Sequence, residues 1–423
     1  MEQSSKKQRF IDKLLGLSVK IQTNPYIQAI SDGFAFLLPM IIVGSLLSVV
    51  NSVGIESYQN FLVSAGIKEF LQFPNLVTNG MLSIYVVFSI AYNLARNFKL
   101  DEFMAGMISI MAFMLLQPFA LSETGSFTID TNLLGAEGIF TAIVVAIIVV
   151  TCMRFLIKHK IYIKMPQGVP EMVERSFKAL TTVAFVSILF LIIKIVFAAS
   201  SFETFPNLIS IIIQAPLKAL GSNFISFLIL MMVVNILWFF GIHGHLVALS
   251  VMLPVYIQMD LQNLAASEAG MAMPNILGQS FVYVYAPGMC TLAGFIFWLW
   301  RSRVKRYNAV AKLSLIPAIF GIGEPLAFGV PYVYNFTLFI PVVFNGIVNY
   351  ILAYAGTLMG LLPRLNGATI NGMPVVVSGF LTGGFSVALF QLLTILLSIL
   401  IWKPFVLRLC KTEEEKEQAA VQQ

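Results

Sequence analysis

Long apolar runs recurring down the whole chain leave it few ways to fold. A helix needs about 20 consecutive apolar residues to cross the hydrocarbon core of a bilayer, fewer where it is interrupted or short. Ten such segments can be marked, at roughly 26–50, 80–95, 103–121, 139–157, 179–199, 224–242, 243–258, 279–300, 335–358 and 380–401, the seventh being short. Of the 423 residues, 58% are hydrophobic and only 11% are charged, whereas soluble chains carry about 25% charged residues. A surface so poor in charge faces lipid. The expected fold class is therefore an all-α polytopic membrane protein with about ten transmembrane helices.

The basic residues set the orientation. With both termini in the cytoplasm, every one of the 26 lysines and arginines except Lys68, Lys194, Lys218 and Arg364 falls on the cytoplasmic side, as the positive-inside rule asks. Lys194 lies near the outer end of its span, where its stem lets the ammonium snorkel to the interface. The inverse topology violates the rule, so an even number of spans is expected. Topology thus accounts for the net charge of +6, and no nucleic-acid partner is expected. The opening stretch "MEQSSKKQRF" is polar and lacks a cleavage site after a short apolar core, so no cleavable signal peptide is expected.

Three stretches behave neither as plain spans nor as loops. "FIDKLLGLSVKIQ" (10–22) places Phe10, Leu14, Leu17 and Ile21 at helical spacing with lysines between. That pattern predicts an amphipathic helix lying on the cytoplasmic interface. "LSLIPAIFGIGEPLAFGVPYV" (313–333) and "LNGATINGMPVVVSGFLTGG" (365–384) are apolar enough to enter the membrane, but Gly and Pro interrupt them too often for a straight helix. They are expected to form two re-entrant hairpins, which are tolerated where protein or a watery cavity satisfies the freed backbone groups. One would dip in from the cytoplasm and the other from outside.

Few residues can carry chemistry. An ionisable side chain stays at membrane depth only if it is paired, solvated or used. Glu324 sits in "FGIGEPLAFGVP" (320–331) between Gly323 and Pro325, at the expected tip of a hairpin. There it either caps a half-helix, pairs with a basic residue, or faces a cavity where it can accept hydroxyl hydrogen bonds or a proton. His243 and His245 flank Gly244 in "WFFGIHGHLV" (238–247), where a span breaks and a glycine lets the backbone approach a ligand closely. The bland reading, a histidine steadying the helix break, fits His245 better than His243. Two histidines with no nearby carboxylate are too few for a metal, and Cys152, Cys290 and Cys410 show no CxxC spacing. No metal and no cofactor are expected. Nor is there a Walker sequence, a GxGxxG or a hydrolase motif, so the chain has no nucleotide engine of its own.

These residues resemble enzyme IIC, the membrane component of the phosphoenolpyruvate-dependent sugar phosphotransferase system, of the lactose/cellobiose/chitobiose type. The resemblance covers nearly the whole chain. It rests on "NPYIQAISDGFAFLLPMIIVGS" (24–45), "NILWFFGIHGH" (235–245), "IPAIFGIGEPLAFGVP" (316–331) and "SGFLTGG" (378–384), and GIHG with GIGEP at this separation is its most specific part. It implies ten spans, two hairpins, and a dimer formed through an N-terminal half at 1–200. Sugar binding and transport fall to 201–411, and 412–423 form a cytoplasmic tail. It also implies a bacterial cell membrane as the location, with surrounding lipid and a homodimer.

Carried across, His243 and Glu324 line the sugar site as catalytic residues, with Trp238, Gly244 and Tyr285 as substrate-binding neighbours. Relatives that take disaccharides commonly carry a tryptophan shortly before Ser-Gly-Phe, whereas "TINGMPVVVSGF" places Asn371 near that position. An amide in place of a stacking platform changes what the outer pocket can hold. The implied function is a sugar permease presenting a 6-hydroxyl to a separate phosphorylated IIB protein, with IIA, HPr and enzyme I upstream. No IIA or IIB domain is expected after residue 411. A cellobiose- or chitobiose-like β-glucoside is favoured. A monosaccharide permease and a proton-coupled symporter, with Glu324 as its coupling site, stand as alternatives, and a non-transporting receptor or channel is a further one.

Overall fold

Helix boundaries in the computed structural model follow local chemistry. Short polar side chains placed ahead of apolar runs accept from the first free backbone N–H groups. Asp101 accepts from Met104 N at 3.0 Å, Thr204 from Asn207 N at 3.2 Å, and Asn223 from Ser226 N at 3.0 Å. The residues described are 20, 23–51, 56–121, 127–129, 131–166, 168–241, 244–245, 250–330, 332, 334–368 and 372–421. Apart from Lys20, the amphipathic helix expected at 10–22 lies outside them.

The chain divides into two units. One comprises Met1–Gly44, Glu69–Ala219 and Leu253–Gln258, and the other Ser45–Lys68, Leu220–Met252 and Met259–Gln423. The first is built on α1 (Pro25–Asn51, its last turns belonging to the second unit), α2 (Leu82–Asn97), α3 (Glu102–Leu116), α4 (Ile139–Lys158) and α5 (Glu171–Ala198). Small residues let these helices approach closely, as is common where lipid supplies no hydrophobic drive between them. A Cβ on Gly33 of α1 would lie 2.7 Å from the Ile90 side chain of α2, and Ser89 Oγ donates to Gly33 O at 3.0 Å. Arg175 of α5 donates to Asp101 at 2.8 Å. Lys194 of α5 donates to Gln117 O at 2.8 Å, satisfying a carbonyl at the open end of α3. A two-stranded antiparallel ribbon, β1 (Phe119–Leu121) with β2 (Phe127–Ile129), follows α3 and is a small departure from the all-α expectation.

The second unit contains α6 (Phe224–Phe239), α7 (Ser250–Glu268, with Leu253–Gln258 in the first unit), α8 (Gln279–Tyr285) and α9 (Gly288–Trp300). It continues with α10 (Lys305–Ile319), α11 (Glu324–Gly329), α12 (Phe339–Leu358) and α13 (Val377–Val421). A polar knot inside its apolar core joins α9, α12 and α13. Ser398 Oγ accepts from Gly294 N at 3.1 Å and from Asn345 Nδ2 at 3.0 Å, and donates to Thr291 O at 3.0 Å. Trp402 Nε1 donates to the same Thr291 carbonyl at 2.7 Å and stacks on Phe295 with ring centroids 4.4 Å apart. Gly294 is needed there because a Cβ would collide with the Ser398 carbonyl.

Among the described residues, seven helices are long and apolar enough to cross a membrane. Phe205–Ser222 with Phe224–Phe239 counts as one further span if the broken pair is taken together. The ten marked runs also include 103–121, where α3 is a helix of 15 residues, and 243–258, where the described helix begins at Ser250 and runs on to Glu268. The two expected hairpins differ in what they hold. At 313–333 the end of α10 is followed by α11. At 365–384 the helical part is the start of α13, bounded by Gly384 with φ +74°.

Candidate functional site

Broken helices in the second unit expose backbone where an unbroken span would hide it. The run at 279–300 is cut at Ala286–Pro287, because proline offers no N–H to continue α8. Helix α10 stops at Gly321, whose φ of +87° suits a residue without a Cβ. Gly321 N donates to Ala318 O at 3.1 Å and Ile322 N to Pro317 O at 3.0 Å, the paired closure of a Schellman end. The two breaks touch: a Cβ on Gly288 would sit 2.9 Å from the carbonyl carbon of Gly321. Val375 N donates to Ile319 O at 2.9 Å, tying the segment that enters α13 to the end of α10.

One amide holds the remaining loose ends. Gln391 Oε1 accepts from Val376 N at 2.7 Å and Gly379 N at 3.1 Å, while Nε2 donates to Val284 O at 2.6 Å and Ser378 Oγ at 3.2 Å. It thereby pins the start of α13 to the end of α8. Val376 adopts φ +75°, a strained conformation for a β-branched residue that persists only where its surroundings fix it. At the other end of α8, Asp260 accepts from Ser280 N at 2.6 Å and from Ser280 Oγ at 2.7 Å.

These breaks surround a cavity of about 420 Å³. Trp238 and Asn235 of α6 line it together with His245, Gln279 and Tyr283, and Phe320–Gly323 form the wall at the end of α10. Trp238 Nε1 donates to His245 Nδ1 at 3.2 Å, and the His245 ring lies nearly parallel to Tyr283 at 6.3 Å. Asn235 Nδ2 donates to Val343 O at 2.9 Å. None of the described lining residues is Asp, Glu, Lys or Arg. Aromatic faces with neutral donors and acceptors suit an uncharged, hydroxyl-rich ligand.

Of the residues expected at the site, Trp238 lines the cavity. Glu324 is the first residue of α11, directly after the cavity-lining Gly323. His243 and Asn371 lie outside the described residues, although Gly372 beside Asn371 lines the cavity with φ +79°. Gly244 packs against the backbone of Val234, whose carbonyl a Cβ would strike. Tyr285 is 1% exposed, with its ring edge-on to Phe281 and Phe390 at 4.8 and 5.4 Å. Tyr283, not Tyr285, faces the cavity. His245, read from sequence as a steadying group, is both bonded and cavity-lining. Gln279 and Asn235 were not singled out. The signal that could have found them is a carboxamide inside an apolar run.

The family model for the phosphotransferase system EIIC matches residues 31–346. The chain is 32% identical over 419 residues to the oligo-beta-mannoside-specific EIIC component of Bacillus subtilis (strain 168), covering 96% of this chain and 95% of that protein. It is 30% identical over 428 residues to the cellobiose-specific EIIC component of Geobacillus stearothermophilus, covering 96% and 95%. Among solved structures it is similar to the crystal structure of the transporter ChbC, the IIC component from the N,N'-diacetylchitobiose-specific phosphotransferase system. The TM-score is 0.91 at 29% identity, over 97% of this chain and 99% of the other.

Proposed function

The chain belongs to the phosphotransferase system EIIC family, and on that premise we propose that it imports a β-linked disaccharide of the cellobiose and chitobiose kind. It is a multi-pass membrane sugar permease that works with a IIB component, and family membership does not favour the symporter reading. The observation that carries the proposal is the cavity in the second unit, walled by Trp238, His245 and Tyr283 and bordered by the break that precedes Glu324. Its volume falls within the roughly 300–1,000 Å³ usual for small-molecule sites. Sugar rings bring apolar faces that suit aromatic side chains and hydroxyl edges that suit amides and imidazoles.

In the proposed reaction the sugar's 6-oxygen attacks the phosphorus of a phosphocysteine on IIB. The hydroxyl proton passes to the Glu324 carboxylate, the P–S bond breaks, and the thiolate leaves with the electron pair. His243 is a second anchor for that hydroxyl, which must be held in line for attack. Trp238 offers a stacking face beside it, Gly244 lets the chain break next to it, and Tyr285 packs against Phe281 and Phe390. Asn371 belongs to the outer pocket and sets how much of a second ring is held. A homodimer joined through 1–200, cytoplasmic termini, and IIA, HPr and enzyme I as upstream donors complete the proposal.

Reconstituted vesicles test it. Protein in liposomes loaded with phosphorylated IIB should accumulate labelled cellobiose or chitobiose only as the sugar phosphate. Accumulation of unmodified sugar, driven by a proton gradient and independent of any phosphoryl donor, would overturn the reading in favour of symport.

A further inference from the structure

Gln279 is the first residue of α8 and lines the cavity while only 3% exposed. Its Oε1 is buried, and among the described residues no donor reaches it. A carboxamide oxygen shut away from water without a donor is penalised, so buried polar atoms are nearly always paired. The neighbouring backbone is well held, since Asp260 accepts both the N–H and the hydroxyl of Ser280. The helix start is therefore anchored, and the amide of Gln279 is left over. Four residues on, one turn along the same helix face, Tyr283 also lines the cavity.

We propose that Gln279 is a sugar-specificity residue, whose Oε1 accepts a ring hydroxyl of the transported sugar while Tyr283 covers a face of the same ring. The inference rests on the sugar-permease reading and adds to it a second recognition point besides the phosphorylated hydroxyl. An edge acceptor and a face platform one helical turn apart suit one pyranose ring. The absence of charged side chains among the described lining residues makes a neutral hydroxyl the fitting donor. Asp260 is a positioning residue, acting through Ser280 to fix where the amide stands.

The test pairs variants with altered sugars. Calorimetry on the purified full-length protein in detergent first ranks cellobiose, N,N'-diacetylchitobiose, mannobiose and glucose. The tightest binder is then compared with its monodeoxy analogues, one hydroxyl removed at a time, on the wild type and on Gln279→Met. For one hydroxyl, its removal should weaken wild-type binding by roughly three- to tenfold. Gln279→Met should weaken the parent sugar by a similar factor and lose that single discrimination, while the ratios for the other analogues stay unchanged. Gln279→Asn, which withdraws the amide by one methylene, repeats the comparison should the Met variant fail to fold. Equal weakening for every analogue, unchanged binding, or loss of all sugars by both folded variants would overturn the role of Gln279 alone. A folded wild type that binds none of the four sugars would overturn the β-linked disaccharide reading on which the inference rests.

Discussion

Trp238 donates its indole N–H to Nδ1 of His245 across 3.2 Å, joining two cavity-lining rings seven residues apart in sequence. A neutral imidazole that accepts at Nδ1 carries its proton at Nε2, so the indole fixes the tautomer as well as the ring. Trp238→Phe keeps an aromatic face but removes the donor. Sugar affinity should fall roughly three- to tenfold, measured by calorimetry on purified protein. Trp238→Ala should lose more. A Phe variant equal to wild type would mean that the bond contributes nothing to the site.

Glu324 opens α11 immediately after Gly323. Glu324→Gln keeps the size and most of the hydrogen bonding but cannot take a proton. Sugar phosphorylation with phosphorylated IIB should drop about 10²–10⁴-fold, while sugar binding by the same variant changes far less. A phosphorylation rate within a few-fold of wild type would remove Glu324 from the role of base.

Gln391 makes four hydrogen bonds that pin the start of α13 to the end of α8. Gln391→Leu fills similar space but leaves buried donors and acceptors unpaired, each costing about 1–3 kcal/mol. The thermal midpoint of the purified protein should fall clearly, and sugar binding should weaken with it. An unchanged midpoint would contradict the idea that the amide holds Val376 in its strained conformation.

Asp260→Ala leaves the N–H and hydroxyl of Ser280 without their acceptor. Stability should drop by about 1–3 kcal/mol, seen as a lower unfolding midpoint. Asp260→Asn, which keeps one acceptor oxygen, should recover part of it. Equal losses in the two variants would show that the carbonyl-type oxygen alone does not hold Ser280.

Much of this architecture is visible in the sequence because the bilayer imposes a coarse rule that composition obeys. The long runs became helices, and the Gly- and Pro-rich stretches around Gly321 and Gly384 became breaks, as their lack of a Cβ or an N–H requires. Finer placement depends on helical phase. Helix α8 has seven residues and starts only after Gly278, and so short an apolar helix has no periodicity from which Tyr283 can be distinguished from Tyr285. The tight approach of Gly244 to Val234 is a tertiary contact that no local pattern announces. Gln279 and Gln391 stood in plain view as amides within apolar surroundings. Which partners they have, and which atom lacks one, depends on tertiary packing, as where Gln391 reaches Val284 across 107 positions.

The knot around Ser398 sets an order on biosynthesis. Gly294 and Ser398 are separated by 104 positions, and chains elongate at about 5–20 residues per second. Roughly 5–20 s therefore pass between the ribosome making α9 and making the hydroxyl that closes it. Throughout that interval the Thr291 carbonyl and the notch at Gly294, joined midway by the Asn345 amide, await a helix not yet translated. The second unit thus closes only after residue 398 has been made, so nascent chains stalled before it should be the protease-sensitive ones.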